Sequence, residues 1–343
     1  MFSIFSPCLG LDLGTANTLI YMRGKGIVLR EPTVVAKRSG TGEILAVGEE
    51  AKRMIGRTPD NITAVKPMKD GVIADYTTTE VMLRYFLSKT APQGLLIKRM
   101  PRLVMCLPCL VTEVERKAVQ EAARSAGAKD IVLLEEPLAA AIGAGLDVNA
   151  AKGCMVVDIG GGTTETAVIS LGGVAVSKSL RVGGNRMDEA IVRHVHETQG
   201  IIIGGSTAEQ IKIKIGSILE GGKETGMEVK GRDAKTFLPT IINVSSESIR
   251  QALKEPAAQI VKAVIEVLEA TPPELAADII NEGIVLTGGG SGLLGLNRMI
   301  SKATGMPVRR AENPMDAVAI GAGIMLEEMQ SRREEKQMEA EIV

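Results

Sequence analysis

The chain is poor in the side chains that commonly bind nucleic acids. It has no Trp, three Tyr and four Phe among 343 residues, so aromatic platforms for base stacking are scarce. Neither sign of charge is in excess, because 40 basic residues stand beside 41 acidic ones and the formal net charge is −1. Nucleic-acid binding normally calls for a basic surface. We therefore expect no nucleic acid among the partners.

Cysteines and long apolar runs are also few. Four Cys in a chain of this length do not form a disulfide framework, which indicates a reducing compartment. No run of about 18 apolar residues occurs, so the sequence predicts no membrane-spanning helix. The first residues lack the basic and long apolar regions of a signal peptide. These absences together predict a cytoplasmic protein.

Two common nucleotide-binding signatures do not apply. The P-loop pattern G-x-x-x-x-G-K-[ST] is absent, so a P-loop fold is not expected. A single G-x-G-x-x-G match at 290–295 comes too late in the sequence to open a complete nucleotide-binding half. We expect that match to be accidental.

The sequence does contain an acidic, glycine-rich hairpin at 154–169. Two apolar stretches predict buried strands, and the three glycines at 160–162 predict a tight turn between them. A turn without Cβ atoms lets backbone N–H groups close around an anion, and Thr163 and Thr164 add hydroxyl donors. Asp158 would repel phosphate directly, so we expect it to hold a phosphate-bound Mg²⁺ through water. An ordinary glycine-rich turn is the alternative explanation.

Residues 8–20 repeat the pattern of strand, acid, glycine, threonine and strand, with Asp12 as the acid. Two copies about a domain's length apart predict two related halves that present their hairpins to a shared cleft. Strands alternate with helices elsewhere, which indicates α/β layers. Glu136 follows the predicted strand 131–134 and would lie at its carboxyl end, where open α/β sheets place ligands. Its alternative role is that of an acid favoured by a helix N-terminus.

These elements fit the hydrolysis of a nucleoside triphosphate. In that reaction Mg²⁺ and backbone donors stabilise the moving γ-phosphoryl group, and a carboxylate positions the attacking water. Glu136 is the candidate for positioning the water. A third glycine turn, at 288–290, would complete the phosphate site.

Two apolar segments are candidates for contact with a lipid surface. One is the N-terminal tip, and the other is a loop with three cations nearby, a composition expected of segments that touch anionic lipid. A packed or disordered end and a buried loop are the alternatives. The residues are Phe2, Ile4 and Phe5 in the tip and Leu95, Leu96 and Ile97 in the loop.

Several stretches resemble the actin, Hsp70 and sugar-kinase superfamily and, within it, the bacterial actins of the MreB family. The likeness runs from Gly10 to about Leu326. The stretches that carry it are LDLGTANTLI at 11–20, DGVIAD at 70–75, EPLAAAIG at 136–143, DIGGGTTE at 158–165 and LTGGG at 286–290.

The resemblance implies a site for ATP, or ADP after hydrolysis, with Mg²⁺. Asp12 and Asp158 would hold the hydrated metal, with Glu136 and Thr163 around the attacking water. Glu209 and Lys212 look like ribose contacts. The full set of nucleotide-binding residues implied is Asp12, Gly14, Thr15, Ala16, Asn17, Asp158, Gly160, Gly161, Gly162, Thr163, Thr164, Glu209, Lys212, Gly288, Gly289, Gly290 and Ser291.

The resemblance also implies an α/β, actin-like two-domain ATPase fold. Duplicated RNase H-like domains would each carry a smaller inserted subdomain, with the nucleotide in the interdomain cleft. Domain I is expected at 1–147 plus 316–343, with a β-rich insertion at about 28–66. Domain II is expected at 148–315, with an insertion at about 182–240. Gly143 and Gly321 would lie on paired helices that connect the domains.

The function implied is that of a cytoskeletal protein with weak, Mg-dependent ATPase activity. It would polymerise with ATP into paired protofilaments at the inner face of the cell membrane, guide the cell-wall elongation proteins and maintain rod shape. A soluble sugar-kinase-type phosphotransferase is the alternative, but it needs a catalytic aspartate for which we find no candidate. An Hsp70-like chaperone would need a peptide-binding domain after the ATPase, and the sequence ends at Val343.

Overall fold

The computed structural model describes residues 8–90, 101–222 and 224–342. The chain divides into two compact units. The first runs up to Val148 and resumes at Met315, and the second is Asn149–Pro314. No helix in the described ranges is long and apolar enough to cross a membrane.

The first unit begins with the N-terminal strands. Its elements up to residue 148 are β1 (Cys8–Leu13), β2 (Asn17–Met22), β3 (Gly26–Pro32), β4 (Val35–Arg38), β5 (Ile44–Val47), α1 (Glu49–Met54), β6 (Ile62–Val65), β7 (Met68–Lys69), β8 (Val72–Ile73), α2 (Tyr76–Thr90), β9 (Arg102–Leu107), α3 (Glu113–Ser125), β10 (Ile131–Glu135) and α4 (Glu136–Gly143).

The second unit has a similar alternation of strands and helices. Its elements are β11 (Cys154–Ile159), β12 (Thr164–Ser170), β13 (Gly173–Leu180), α5 (Gly184–Gln199), β14 (Ile201–Ile202), α6 (Gly205–Ile215), β15 (Gly226–Asp233), β16 (Pro239–Ser245), α7 (Ser246–Ala270), α8 (Pro273–Glu282), β17 (Ile284–Thr287), α9 (Leu296–Thr304) and β18 (Val308–Arg310). A 3-10 turn spans Gly289–Gly292, and α10 (Ala317–Ile342) belongs to the first unit.

Both units are built on a five-stranded sheet of the same topology. The strand order is β10-β9-β1-β2-β3 in the first and β18-β17-β11-β12-β13 in the second. In each, the first strand of the predicted hairpin is central, pairs antiparallel with the next strand and pairs parallel with a later one. The repeat seen in the sequence is therefore a repeat of sheet topology.

Each sheet has its own apolar core. Residues such as Leu11, Met105 and Phe86 are fully buried in the first unit, and Met155, Ile191 and Leu253 in the second. Burying one side chain of this size stabilises a fold by about 1.5–3 kcal/mol. The two cores make each sheet a firm support for the loops at its ends.

Local sequence signals explain where α3 begins and ends. The capping box at Thr112 and Glu115 is formed, and α3 ends before Gly127, whose φ of 107° suits glycine. The strand β15 lies within the polar stretch 221–239, inside the insertion predicted at about 182–240. There Met227 and Val229 pack against the core while charged residues alternate with them.

Within the first unit, α4 and α10 cross with their backbones in contact. A Cβ atom at Gly143 would lie 1.8 Å from the Ala317 carbonyl oxygen, and one at Gly321 would lie 1.9 Å from the Ala139 carbonyl oxygen. Only glycine fits at this distance. The two helices therefore have a fixed, close crossing.

Candidate functional site

The first hairpin closes tightly after Asp12. Asp12 lies near the end of β1, opposite Leu19 of β2 and beside Cys106 of β9. A Cβ atom at Gly14 would lie 2.6 Å from the Asn17 carbonyl oxygen, so this turn requires glycine. With glycine at position 14, no side chain stands between the two sides of the turn 14–17.

Thr33, just after β3, ties down this turn. Its hydroxyl donates to the Gly14 carbonyl at 2.7 Å, and its backbone N–H donates to the Ala16 carbonyl at 3.0 Å. With these carbonyls occupied, the turn is held in one conformation.

Thr15 connects the hairpin with a second turn of the same unit. Its hydroxyl is buried and accepts a hydrogen bond from the Gly71 N–H at 2.9 Å. Asp70 and Gly71, between β7 and β8, both have positive φ, 50° and 80°. A strained turn held by Thr15 is the kind of backbone often found at functional sites.

Glu136 lies at the same edge of the first sheet as Asp12. It is the first residue of α4 and follows β10 directly, with Pro137 in the first helical turn. Asp12, Cys106 and Leu134 are in register across β1, β9 and β10, which run parallel. Both carboxylates are thus at the carboxyl ends of parallel strands, the edge at which such sheets bind ligands.

The second hairpin has the same form. The Gly160 N–H donates to the Thr163 carbonyl oxygen at 2.8 Å and closes the glycine turn. Asp158 is only 4 % exposed, and its Oδ1 accepts a hydrogen bond from the Thr287 hydroxyl at 2.7 Å. Burial raises the pKa of Asp158 to about 6, although the Thr287 hydrogen bond acts in the opposite direction.

A second acid, which the sequence reasoning missed, faces Asp158. Glu165 of β12 is in register with Asp158 on one side and with Ser179 of β13 on the other. Its carboxylate is 1 % exposed and accepts a hydrogen bond from the Ser179 hydroxyl at 2.5 Å. The signal was present, because residues equally distant from the four-residue turn stand opposite each other in a hairpin.

Thr287, Asp158, Glu165 and Ser179 lie side by side on adjacent strands, and this row of side chains fits a divalent cation. Like charges directly opposite each other in a sheet are destabilising, and burial increases the cost. Two buried carboxylates with hydroxyls on either side form a set of hard oxygen donors, which Mg²⁺ prefers. In the first hairpin the residue opposite the acid is Leu19, so only the second hairpin has an acid pair.

The third glycine turn packs on the end of β11. A Cβ at Gly288, whose φ is 75°, would lie 2.3 Å from the Ile159 carbonyl oxygen, and one at Gly290 would lie 2.3 Å from Ile159 Cγ2. Gly289 is exposed and has no atom within 4 Å of its Cβ position. The outer glycines allow close packing, and the middle one leaves backbone accessible.

Two hydroxyls that were expected to contact the nucleotide are engaged within the protein. The Thr164 hydroxyl is buried and donates to the Val182 carbonyl at 2.6 Å. The Ser291 hydroxyl donates to the Gly288 carbonyl at 2.6 Å. In this arrangement both hydroxyls brace their loops.

The start of α5 contacts the glycine turn of the second hairpin, and Lys212 of α6 contacts the start of α5. The Gly184 N–H donates to the Gly160 carbonyl at 3.0 Å, and the Asn185 N–H donates to the Gly161 carbonyl at 2.8 Å. Lys212 of α6 donates to the Gly184 carbonyl at 2.9 Å. Glu209 is three residues before Lys212 and therefore on the same face of α6.

The predicted residues fall into two groups. The first unit positions Asp12, the turn 14–17 and Glu136 at one sheet edge. The second unit brings together Asp158, the turn 160–163, the 288–291 loop and α6. The six residues predicted for lipid contact, which are Phe2, Ile4, Phe5, Leu95, Leu96 and Ile97, lie outside the described residues.

Comparison with solved structures defines the class of fold. MreB 5 of Spiroplasma citri, solved with AMPPNP, superposes with a TM-score of 0.90 and 36 % identity over 96 % of this chain and 99 % of that one. The same protein bound to ADP gives the same TM-score. The MamK double helical filament, at 20 % identity, has a TM-score of 0.80 and shows likeness of fold alone. The predicted actin-like two-domain α/β fold is confirmed.

Sequence comparison then identifies the family. The MreB/Mbl protein family model matches residues 6–334. The cell shape-determining protein MreB of Escherichia coli (strain K12) is 52 % identical over 328 residues, which cover 94 % of each chain. The cell shape-determining protein Mbl of Bacillus cereus (strain ATCC 10987 / NRS 248) is 50 % identical over 324 residues, 94 % of this chain and 97 % of that one. This chain belongs to the MreB/Mbl family.

Proposed function

We propose that this chain is a cytoskeletal ATPase that polymerises with ATP into paired protofilaments and helps to determine cell shape. The observation that carries the proposal is the repeat itself. Two sheets of one topology each place a carboxylate, Asp12 or Asp158, beside a tight glycine turn at the same edge. Relatives at 50–52 % identity are named cell shape-determining proteins, which supports the same cellular role.

The backbone of both hairpins is suited to triphosphate binding. Glycine turns whose carbonyls are occupied by Thr33 or by the N-terminus of α5 hold their N–H groups in fixed directions. AMPPNP and ADP are bound by the structurally similar MreB 5 of Spiroplasma citri, which supports ATP and ADP as ligands here. Glu209 and Lys212 of α6 and the 288–291 loop would bind the nucleoside.

Asp12 and Asp158 would hold Mg²⁺ through its water shell, with Glu165 adding negative charge next to Asp158. Bound there, Mg²⁺ would neutralise charge on the β- and γ-phosphoryl oxygens. The carboxylate of Glu136 would orient the attacking water, together with the backbone and hydroxyl of Thr163. The hairpin N–H groups would stabilise the charge that develops on the γ-phosphoryl group.

The filaments would lie at the inner face of the cell membrane and organise the cell-wall elongation proteins. Lipid contact would come from the N-terminal tip and the 95–97 loop, whose apolar side chains suit shallow insertion. Co-sedimentation with anionic liposomes tests this, with Leu95→Ser/Leu96→Ser and a deletion of residues 1–6 as separate variants. We expect one variant or both to remain in the supernatant, and wild-type pelleting of both variants would reject these contacts.

The central experiment measures polymerisation and hydrolysis in the same tubes. Wild type, Glu136→Ala and Glu113→Ala are incubated with ATP and Mg²⁺, pelleted, and assayed for released phosphate. Glu113 is the matched control because it is also the first residue of a helix, α3, and carries a helix N-terminal acid. Losing such an acid costs only about 0.3–1 kcal/mol of helix stability.

We expect wild type and Glu136→Ala to pellet with ATP, and only Glu136→Ala to lose most of its phosphate release. Glu113→Ala should release phosphate at the wild-type rate. If nothing pellets while phosphate release requires an added small alcohol, a sugar-kinase-type activity replaces the proposal. If both alanine variants hydrolyse ATP equally well, Glu136 does not position the water.

A further inference from the structure

A nearly buried ion pair joins the two helices that follow the second hairpin. Lys212 Nζ of α6 lies 2.8 Å from Asp188 Oδ1 of α5, and the two side chains are 17 % and 15 % exposed. Most other ion pairs of the described residues are far more exposed. A pair this well shielded from water interacts strongly and is weakly screened by salt.

The contacts of Lys212 leave at least one donor for a ligand. An ammonium group has three N–H donors. Lys212 gives one to the Gly184 carbonyl oxygen, and its ammonium group also lies within ion-pair distance of the Asp188 carboxylate. Among the residues that the structure describes, it has no further hydrogen-bond partner. A lysine side chain loses about 2 kcal/mol of rotamer entropy when fixed, so holding it beforehand lowers the cost of binding.

Asp188 also ties Lys212 to the phosphate hairpin. It is four residues after Gly184 on α5, so both lie on one face of that helix. Gly184 accepts from Lys212 and donates through its N–H to Gly160 in the glycine turn. A Cβ at the preceding Gly183 would lie 2.6 Å from the Gly160 carbonyl oxygen. The start of α5 is therefore packed directly on the hairpin.

We infer that Asp188 is a positioning residue that holds Lys212 against the ribose of the bound nucleotide. The inference rests on the proposed function and adds a residue that determines ribose specificity. Lys212 would donate a remaining N–H to a ribose hydroxyl, while Asp188 and Gly184 fix its direction. Because the same helix start contacts the glycine turn, the ribose contact is set in register with the phosphate contacts.

The test compares ATP with 2′-deoxy-ATP in the presence of Mg²⁺. Dissociation constants for both nucleotides, together with KM and kcat for hydrolysis of ATP, are measured for wild type, Asp188→Asn and Asp188→Glu. Glu266→Gln is the matched control, because it removes a partner of the Lys178–Glu266 ion pair between β13 and α7 of the same unit.

We expect wild type to bind ATP more tightly than 2′-deoxy-ATP. In Asp188→Asn, loss of one charge-assisted contact should weaken ATP binding by about tenfold and bring the two constants together. KM should rise with kcat little changed. Asp188→Glu should keep part of the discrimination, and Glu266→Gln should keep all of it.

A double variant in which Asp188 and Lys212 exchange places distinguishes a role in positioning from a role in stability. Asp188→Lys combined with Lys212→Asp restores an ion pair between α5 and α6 but removes the cation from α6. We expect this variant to melt close to wild type and to lack ribose discrimination, and it carries the test if Asp188→Asn does not fold.

Three results would overturn the inference: discrimination retained in a folded Asp188→Asn, discrimination regained in the exchanged pair, or wild type that binds both nucleotides equally. Failure of wild type to bind ATP at all would instead reject the proposed function.

Discussion

Asp158 and Glu165 face each other across β11 and β12, and both carboxylates are buried. The hydroxyls of Thr287 and Ser179 donate to them from the two flanking strands. Four polar side chains thus form one continuous row in the middle of a sheet. Buried like charges oppose folding, and a cation bound at this row would offset the repulsion.

Replacing Glu165 by Gln should have opposite effects on stability and on metal binding. Without Mg²⁺, removal of one of two facing charges should raise the free energy of unfolding, as measured by urea denaturation in EDTA. With nucleotide present, the half-saturating Mg²⁺ concentration should rise several-fold, as followed with a fluorescent nucleotide. If Glu165 had only a structural role, Glu165→Gln would lower stability and leave the Mg²⁺ midpoint unchanged. That pattern would contradict a role of Asp158 and Glu165 in binding the metal.

Thr287 allows a second test of the same row. Its hydroxyl donates to a buried carboxylate, whereas the hydroxyl of Thr271, also buried, donates to the neutral carbonyl of Val267. Hydrogen bonds to charged groups contribute about 1.5–3 kcal/mol and neutral ones about 0.5–1.5 kcal/mol. Thr287→Val should therefore destabilise the protein more than Thr271→Val in urea denaturation at pH 8. Equal losses would mean that Asp158 is not ionised in the free protein.

We expect the carboxylate of Asp75 to make a pH-dependent contribution to the stability of the first unit. It lies just before α2, and its carboxylate accepts hydrogen bonds from Lys37 at 2.8 Å and from the hydroxyl of Thr78 at 2.6 Å. Partial burial acts to raise the pKa of Asp75, but the Lys37 and Thr78 hydrogen bonds together outweigh it and lower the pKa to about 2. A lowered pKa means that the folded state prefers the ionised form.

The stabilisation by Asp75 should be complete above its ordinary pKa of 3.8 and should be lost as pH falls towards about 2. The Asp75 side chain is 36 % exposed, so screening by solvent reduces the effect to about 1 kcal/mol. Asp75→Asn should cost this amount at pH 7 and at pH 5, and less at pH 3.5, in urea denaturation. Asp130→Asn, which breaks the exposed pair with Arg102, should cost less than about 0.5 kcal/mol.

The hairpins could be predicted from sequence because their signals are local. An apolar run, an acid and a glycine turn lie within about a dozen residues, and the structure places Asp12 and Asp158 at the strand ends as expected. Glu165 was within the same pattern but was passed over, since its importance depends on strand register and not on composition.

Other features depend on contacts between distant segments. The Asp188–Lys212 pair requires the packing of α5 against α6, which no sequence period reveals. The strand β15 is hard to recognise from sequence, because charged residues alternate with its apolar ones and its pairing with β16 is not visible there. Helix α6 begins at Gly205, where small residues that carry no apolar pattern form its first turn.

The crossing of α4 and α10 gives the prediction with the largest expected effect. At Gly143 a Cβ would lie 1.8 Å from the Ala317 carbonyl oxygen, and no rotation of a side chain can relieve contact with backbone. Gly143→Ala should therefore cost more than about 3 kcal/mol or prevent folding, as overpacking does when the neighbours cannot move. Gly205→Ala is the control, because no atom lies within 4 Å of its Cβ position in the first turn of α6. Thermal denaturation should show that variant unchanged or slightly stabilised, since alanine favours helix. If Gly143→Ala melts at the same temperature as Gly205→Ala and wild type, α4 and α10 can move apart at little cost. The close crossing would then not be what holds these two helices in place.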